Sequence, residues 1–220
     1  MADPAVIRRG SGTRVTIDQA AIELFADRGY NATSMRAIAD AARVQPAAIY
    51  HWYPGKEAIL IRLQDDFMER LTDMVDQAIE AAGSPVEKLA AAVREHVVFH
   101  GLNPKSAFVT DSEIRALSAG PRQALIEKRD GYQQKFLQMI VAGMEDGTLT
   151  VSDPNVATYA ILLQCTGVAF WFKADGPLGL ERVGDLHVEL VLSSLGATRK
   201  LINAALKGRS LSSVADGREA

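Results

Sequence analysis

A chain of 220 residues with 48% apolar and 23% charged residues can bury a core without disulfides or metals, and this balance excludes both a disordered polymer and an integral membrane protein. The net charge of −3 argues against a uniformly basic nucleic-acid binder. Among the first sixty residues, however, Arg8, Arg9, Arg14, Arg28, Arg36, Arg43 and Lys56 stand against Asp3, Asp18, Glu23, Asp27, Asp40 and Glu57, a net +1 that leaves −4 for the rest and places any DNA contact in this segment.

Apolar residues recur at the helical period almost throughout and no sustained alternation marks a strand, so the fold class is all-α. Residues 1–13 are expected as a flexible arm. "MADPAVIRRGSG" has no hydrophobic segment behind its charges, and no run of about 18 uncharged apolar residues follows, so neither a signal peptide nor a spanning helix is expected. The expected location is cytoplasmic, with no membrane partner. "TIDQAAIELFADRG" carries the first helix, with Ile17, Ala21, Leu24 and Phe25 on one face and Gly29 as a left-handed stop. In "NATSMRAIADAA" either Thr33 or Ser34 caps a second helix whose stripe is Met35, Ile38, Ala39 and Ala42. A third begins at Pro46 and ends near Tyr53, because Pro54-Gly55 cannot continue it. Three short helices with a tight connection at Arg43-Val44 describe a helix-turn-helix domain over residues 1–58. Longer helices over about 56–82, 85–100, 105–118, 121–146, 153–174 and 179–206 follow, the stretch 59–206 forming a larger helical domain and 207–220 a flexible polar tail.

The stretch "RVQPAAIYHWYPGKEAIL" carries the chemistry. On a helix starting at Pro46, Ala47, Tyr50 and His51 share one face while Ile49, Trp52 and Tyr53 share another. Ile49 and Tyr53 can pack on the first two helices, which leaves the Tyr50 and His51 side outward. That face suits a major groove: Ala47 and Ala48 permit close approach, and the phenol, the imidazole and the Gln45 amide reach base edges or phosphates. Lys56 opens the next helix, where its ammonium adds to a positive helix end and suits a phosphate. Ser34 and Arg36 offer a second clamp at the start of the second helix.

"IELFADRGYNATSMRAIADAARVQPAAIYHWYPGKEAIL" resembles the N-terminal domain of TetR-family transcriptional repressors over about forty-five consecutive residues, with "IYHWY" and Lys56 in register. The resemblance implies that Ser34, Arg36, Gln45, Ala47, Ala48, Tyr50, His51, Trp52 and Lys56 face DNA. Trp52, which periodicity turns inward, would then touch phosphate through its indole N–H. Three positions depart from the family pattern: Arg43 stands where glycine is usual, Gln45 replaces a small hydroxyl cap, and Pro54 replaces a polar residue. They leave the operator preference open.

The resemblance further implies a ligand-binding and dimerisation domain from about residue 60. The two most apolar segments, "NVATYAILLQCTGVAFWFKADGP" and "LERVGDLHVELVLSSLGATRKLINAAL", agree, since pairing them with a second copy would bury their excess in a four-helix bundle. Phe99, Phe108, Tyr132, Phe136, Phe170 and Trp171, with Glu113 and Arg115 as polar anchors, are the expected pocket for a mostly apolar effector, although each aromatic is equally readable as core. "DSEIRAL", "GPRQALIEKRDGYQQKF" and the "GPL" after Trp171 loosely resemble TetR-family regulators of lipid, fatty-acid or steroid catabolism, which implies a lipid-like effector or a CoA thioester. Arg115, Arg122, Lys128 or Arg129 would meet its phosphates. No cofactor is expected. His96 and His100, four apart with Glu95 beside them, lack a third metal ligand at matching spacing and read as a partly buried polar edge. His187 reads as a dimer-helix surface residue and Cys165 as a small core residue. No nucleophile elbow, P-loop, dinucleotide fingerprint or zinc triad supports an enzyme. A protein-binding adaptor is the remaining alternative, separable by salt sensitivity.

Overall fold

Helix α1 spans Pro4–Arg28 in the computed structural model, which describes residues 4–207, with side chains from Gly12 onward. Every regular element among these residues is a helix. The expected arm and tail fall partly outside this range, at residues 1–3 and 208–220. From Pro4 onward the backbone is helical, and Thr16 donates to the Gly12 carbonyl at 2.9 Å. The helices form two compact units. One runs to Arg70 and takes in Asn103–Arg129; the other comprises Leu71–Leu102 and the chain from Asp130. Residues 103–129 group with the N-terminal helices, where α6, Pro104–Ser112, packs on α1.

In the first unit α1 is followed by α2 (Met35–Ala42), α3 (Pro46–Trp52) and α4 (Lys56–Glu80). Ile17, Ala21, Leu24 and Phe25 are buried with Ile38, Ala39, Ala42 and Ile49, as their periodicity requires. Gly29, at φ 82°, ends α1 in the left-handed conformation that glycine adopts without strain. The cap of α2 is Ser34, whose Oγ accepts the Ala37 N–H at 3.1 Å. Thr33 is buried instead and donates to the Gly29 carbonyl at 2.9 Å. Arg43 ends α2 at φ 56°, ψ 41°, and the Val44 N–H returns to the Ala39 carbonyl at 3.0 Å, a left-handed closure made without glycine. A short 3-10 turn, Glu113–Ala116, leads into α7, Ala119–Glu145.

The second unit holds α5 (Pro85–Leu102), the C-terminal part of α7, α8 (Pro154–Thr166), α9 (Val168–Trp171), α10 (Leu180–Ser194) and α11 (Arg199–Lys207). Each of the two long helices expected after residue 153 is split. The first breaks at Gly167, and the second at Gly196, whose φ of 74° closes α10. Helix α5 packs chiefly on α10. They approach so closely that a Cβ on Gly101 would lie 2.4 Å from the Leu180 side chain. His96 and His100 are not a polar edge but core residues, each 3% exposed. Their rings stack at 4.1 Å; His96 Nδ1 lies 2.8 Å from the Tyr132 hydroxyl and Nε2 3.0 Å from that of Thr166, while His100 Nδ1 donates to the His96 carbonyl at 2.8 Å. His187 is likewise buried rather than superficial, donating to the Val183 carbonyl and stacking on Trp171.

Burial pushes the His96 imidazole well below its ordinary range and that of His100 down from 6.5 to about 4. An unfolded chain therefore takes up protons between pH 6.5 and 4 that the fold refuses, so the stability present above pH 6.5 is lost as pH falls, by on the order of 3 kcal/mol at pH 4 from His100 alone. Urea midpoints measured across this range should fall, and less steeply in His100→Gln; parallel profiles would show that His100 takes a proton freely in the fold. Arg43→Gly should raise stability by roughly 0.5–1 kcal/mol in urea melts, the relieved left-handed strain exceeding the added backbone entropy. A lower midpoint would mean that the arginine side chain contributes more than its backbone costs.

Candidate nucleic-acid interface

Helix α3 begins at Pro46 because proline presets the first turn and gives up an N–H that has no helical partner there. Gln45 precedes it in an extended conformation and makes no side-chain cap, so its amide remains free to reach outward. The two faces separate as the i, i+3, i+4 spacing requires. Ile49 is fully buried and Tyr53 nearly so, its phenol donating to the Asp18 carboxylate of α1. Tyr50 is 58% exposed, and Gln45, Ala47 and His51 are exposed with it. Ala48 and Trp52 are half-buried at the border, Trp52 edge-on to the His51 ring at 5.1 Å.

Ser34, Arg36 and Arg43 are also exposed. Among the described residues neither arginine takes part in an ion pair, whereas Lys105 pairs with Glu23 and Asp27, Lys128 with Asp65 and Glu69, and Arg129 with Asp111. Uncommitted guanidinium groups beside exposed hydrogen-bonding side chains suit a phosphate backbone.

Lys56 is engaged differently from the sequence expectation. Its ammonium donates to the carbonyls of Tyr30 at 2.6 Å and Thr33 at 2.7 Å and lies 4.1 Å above the Tyr30 ring. Partial burial lowers its pKa, against the opposing charge of Glu113. Two of its three N–H groups thus fix the turn between α1 and α2. Glu113, expected as a ligand anchor, instead accepts the Tyr30 N–H at 3.1 Å. Glu57 accepts the Ser118 N–H at 2.6 Å, a bond that pulls its carboxyl below the usual range. These long-range ties join the turn between α1 and α2, the start of α4 and the segment Glu113–Ser118, and nothing in the local sequence pattern announces them.

The expected effector residues do not form one group. Phe99, Tyr132 and Phe136 are buried around the His96–His100 pair. Phe108, Glu113 and Arg115 belong to the other compact unit. Phe170 and Trp171 are more than half exposed, Trp171 lining an open concavity of about 600 Å³ with Leu178, Leu186, His187 and Leu190. The charged partners considered for a CoA phosphate divide too: Lys128 and Arg129 are committed to ion pairs, whereas Arg115 and Arg122 are exposed. Both ring nitrogens of His96 are used within the fold, and no cluster of three metal-ligating side chains occurs among the described residues. Cys165 is fully buried and its thiol is pushed up to about 12, which leaves it unreactive. Among the described residues no helix is long and apolar enough to cross a membrane.

Comparison with known proteins fits this geometry. Residues 17–63 match the model of bacterial regulatory proteins of the tetR family, and residues 82–195 match that of the tetracyclin repressor-like C-terminal domain. The HTH-type transcriptional repressor KstR2 of Mycolicibacterium smegmatis is 30% identical over 181 residues, covering 80% of this chain and 87% of the relative. The fatty acid metabolism regulator protein of Bacillus subtilis is 29% identical over 181 residues, covering 81% and 93%. The crystal structure of AibR in complex with isovaleryl coenzyme A and operator DNA aligns with a TM-score of 0.74 at 27% identity, covering 81% of this chain and 97% of that one. With its helix-turn-helix geometry and both domain models matched, the chain belongs to the TetR family of transcriptional regulators and is not an enzyme.

Proposed function

We propose that the chain is a cytoplasmic, ligand-responsive repressor that binds a palindromic operator as a homodimer and releases it on binding a mostly apolar effector, a CoA thioester or another lipid-like metabolite. Residues 1–58 make the DNA contacts and residues 59–206 the effector site and dimer interface. The observation that carries the reading is the division of α3, with Ile49 and Tyr53 sealed inside and Tyr50 and His51 presented outward. Tyr50, His51 and Gln45 meet base edges or phosphates, while Ala47 and Ala48 permit close approach. Ser34, Arg36, Arg43, the Trp52 indole and the remaining N–H of Lys56 meet the backbone. A repressor among the relatives, and a neighbour solved with both a CoA thioester and operator DNA, support the type of function and the effector class.

Dimerisation through the last long helices is supported by apolar rows left in water. Val156, Tyr159 and Leu163 line one face of α8, and Leu190 lies exposed on α10 with Trp171 and Leu178 nearby around the open concavity. A second copy covering these rows would remove their apolar area from solvent and supply a second α3, with half-sites about 34 Å apart. Effector binding then shifts the population of dimers toward one whose recognition helices no longer match both half-sites.

Replacing Tyr50 and His51 together by alanine should weaken operator binding roughly 10- to 100-fold in gel-shift titrations while leaving the dimer intact by size-exclusion chromatography. Loss of the dimer instead would mark them as core. Wild-type affinity should also fall steeply with salt, as phosphate contacts demand; a flat salt profile would favour a protein-binding adaptor. Leu163→Asp places a charge where the side chain is 77% exposed in the single chain, so the fold should survive while the dimer dissociates in analytical ultracentrifugation. An unchanged dimer would exclude α8 from the interface.

A further inference from the structure

Helix α4 carries a buried row in which Leu60, Gln64, Phe67 and Met68 fall on one face. Gln64 is 1% exposed, and neither its Oε1 nor its Nε2 has a hydrogen-bond partner. Among the described residues it is the side chain whose entire hydrogen-bonding capacity is buried and unmet. Arg62 and Arg94, each with one unpaired nitrogen, are engaged through another. The buried Thr33, His96, Thr158 and His187 all have partners. A carboxamide left this way bears its desolvation penalty with no return, whereas a leucine in the same row would bear none. Apolar walls with a few placed polar groups are the usual composition of a small-molecule site.

We propose that the Gln64 carboxamide is the polar anchor of the effector site, and that the effector carries a neutral group able both to donate and to accept a hydrogen bond, a hydroxyl or an amide, on an otherwise apolar body. This rests on the effector-responsive reading above and adds the chemistry of recognition. The amide offers N–H to an acceptor and a carbonyl to a donor. A carboxylate would meet the first but set its charge against Oε1, with only Leu60, Phe67 and Met68 beside it on the helix face. Gln64 lies eight residues beyond Lys56, about 12 Å along the same helix. A ligand seated on it therefore bears on the element whose first residue holds the turn ahead of α2.

The test compares the full-length protein with Gln64→Leu, and with Gln64→Met as an unbranched second variant, by thermal melting with decan-1-ol, decanamide and sodium decanoate as probes. Without probe, both variants should melt at or above the wild-type temperature, since two unpaired polar groups have been removed. Saturating alcohol or amide should raise the wild-type midpoint by about 5 °C and leave the variants unmoved, and decanoate should shift none of them. Variants that melt below wild type would show that the amide is satisfied within the fold. Neutral probes that shift all three proteins equally would place their site elsewhere, and probes that shift none would leave buried water as the sole partner of Gln64; each of these outcomes overturns the proposal. Absence of operator binding with this probe pattern intact would defeat the regulator reading and leave the Gln64 site standing.

Discussion

The backbone of Tyr30 is held at both ends: Glu113 accepts its N–H, and the Lys56 ammonium donates to its carbonyl while lying over its ring. This clasp sits at the turn that delivers α2, and through the left-handed closure at Arg43 it fixes where α3 projects. Helix α3 has only seven residues, too few to be stable alone. Its position is therefore set by neighbours: Ile49 and Tyr53 beneath it, the Tyr53–Asp18 hydrogen bond to α1, and the clasp behind it. The outward face is available for DNA because all the anchoring is done by the other one.

Buried polarity separates two kinds of site. Around His96 every polar group finds a partner within the chain, and the imidazoles stay neutral because burial disfavours their charge. Such a network fixes the packing of α5 against α7 and α8, and it withholds from a metal the two histidines whose spacing first suggested one. Gln64 is the opposite case, a polar group in an apolar row with nothing supplied by the protein.

Much of the first unit was legible in the sequence because its information is local. Periodicity assigned both faces of α3, Gly29 and Pro46 marked their boundaries, and the choice of cap between Thr33 and Ser34 needed only the knowledge of which one is buried. The breaks at Gly167 and Gly196 were masked by the apolar runs that continue past them. What the pattern could not show is long-range: Glu113 meets a backbone N–H 83 residues away, and Lys56 meets carbonyls on the turn before α2. Residue type marked both as charged and available, for a ligand in one case and for a phosphate in the other, but not as partners of the backbone of one residue. The aromatics chosen for a pocket likewise divide between core, surface and separate units, because composition identifies bulky apolar residues without placing them.

The most direct measurement is hydroxyl-radical footprinting of the protein, read by mass spectrometry at Tyr50, His51 and Trp52, with and without a duplex selected from a random pool. Protection of all three on the duplex, with Tyr159 of α8 unchanged by it, is the expected result. Unaltered oxidation of Tyr50 and His51 in a protein that demonstrably retains its duplex would contradict the assignment of this helix face to DNA.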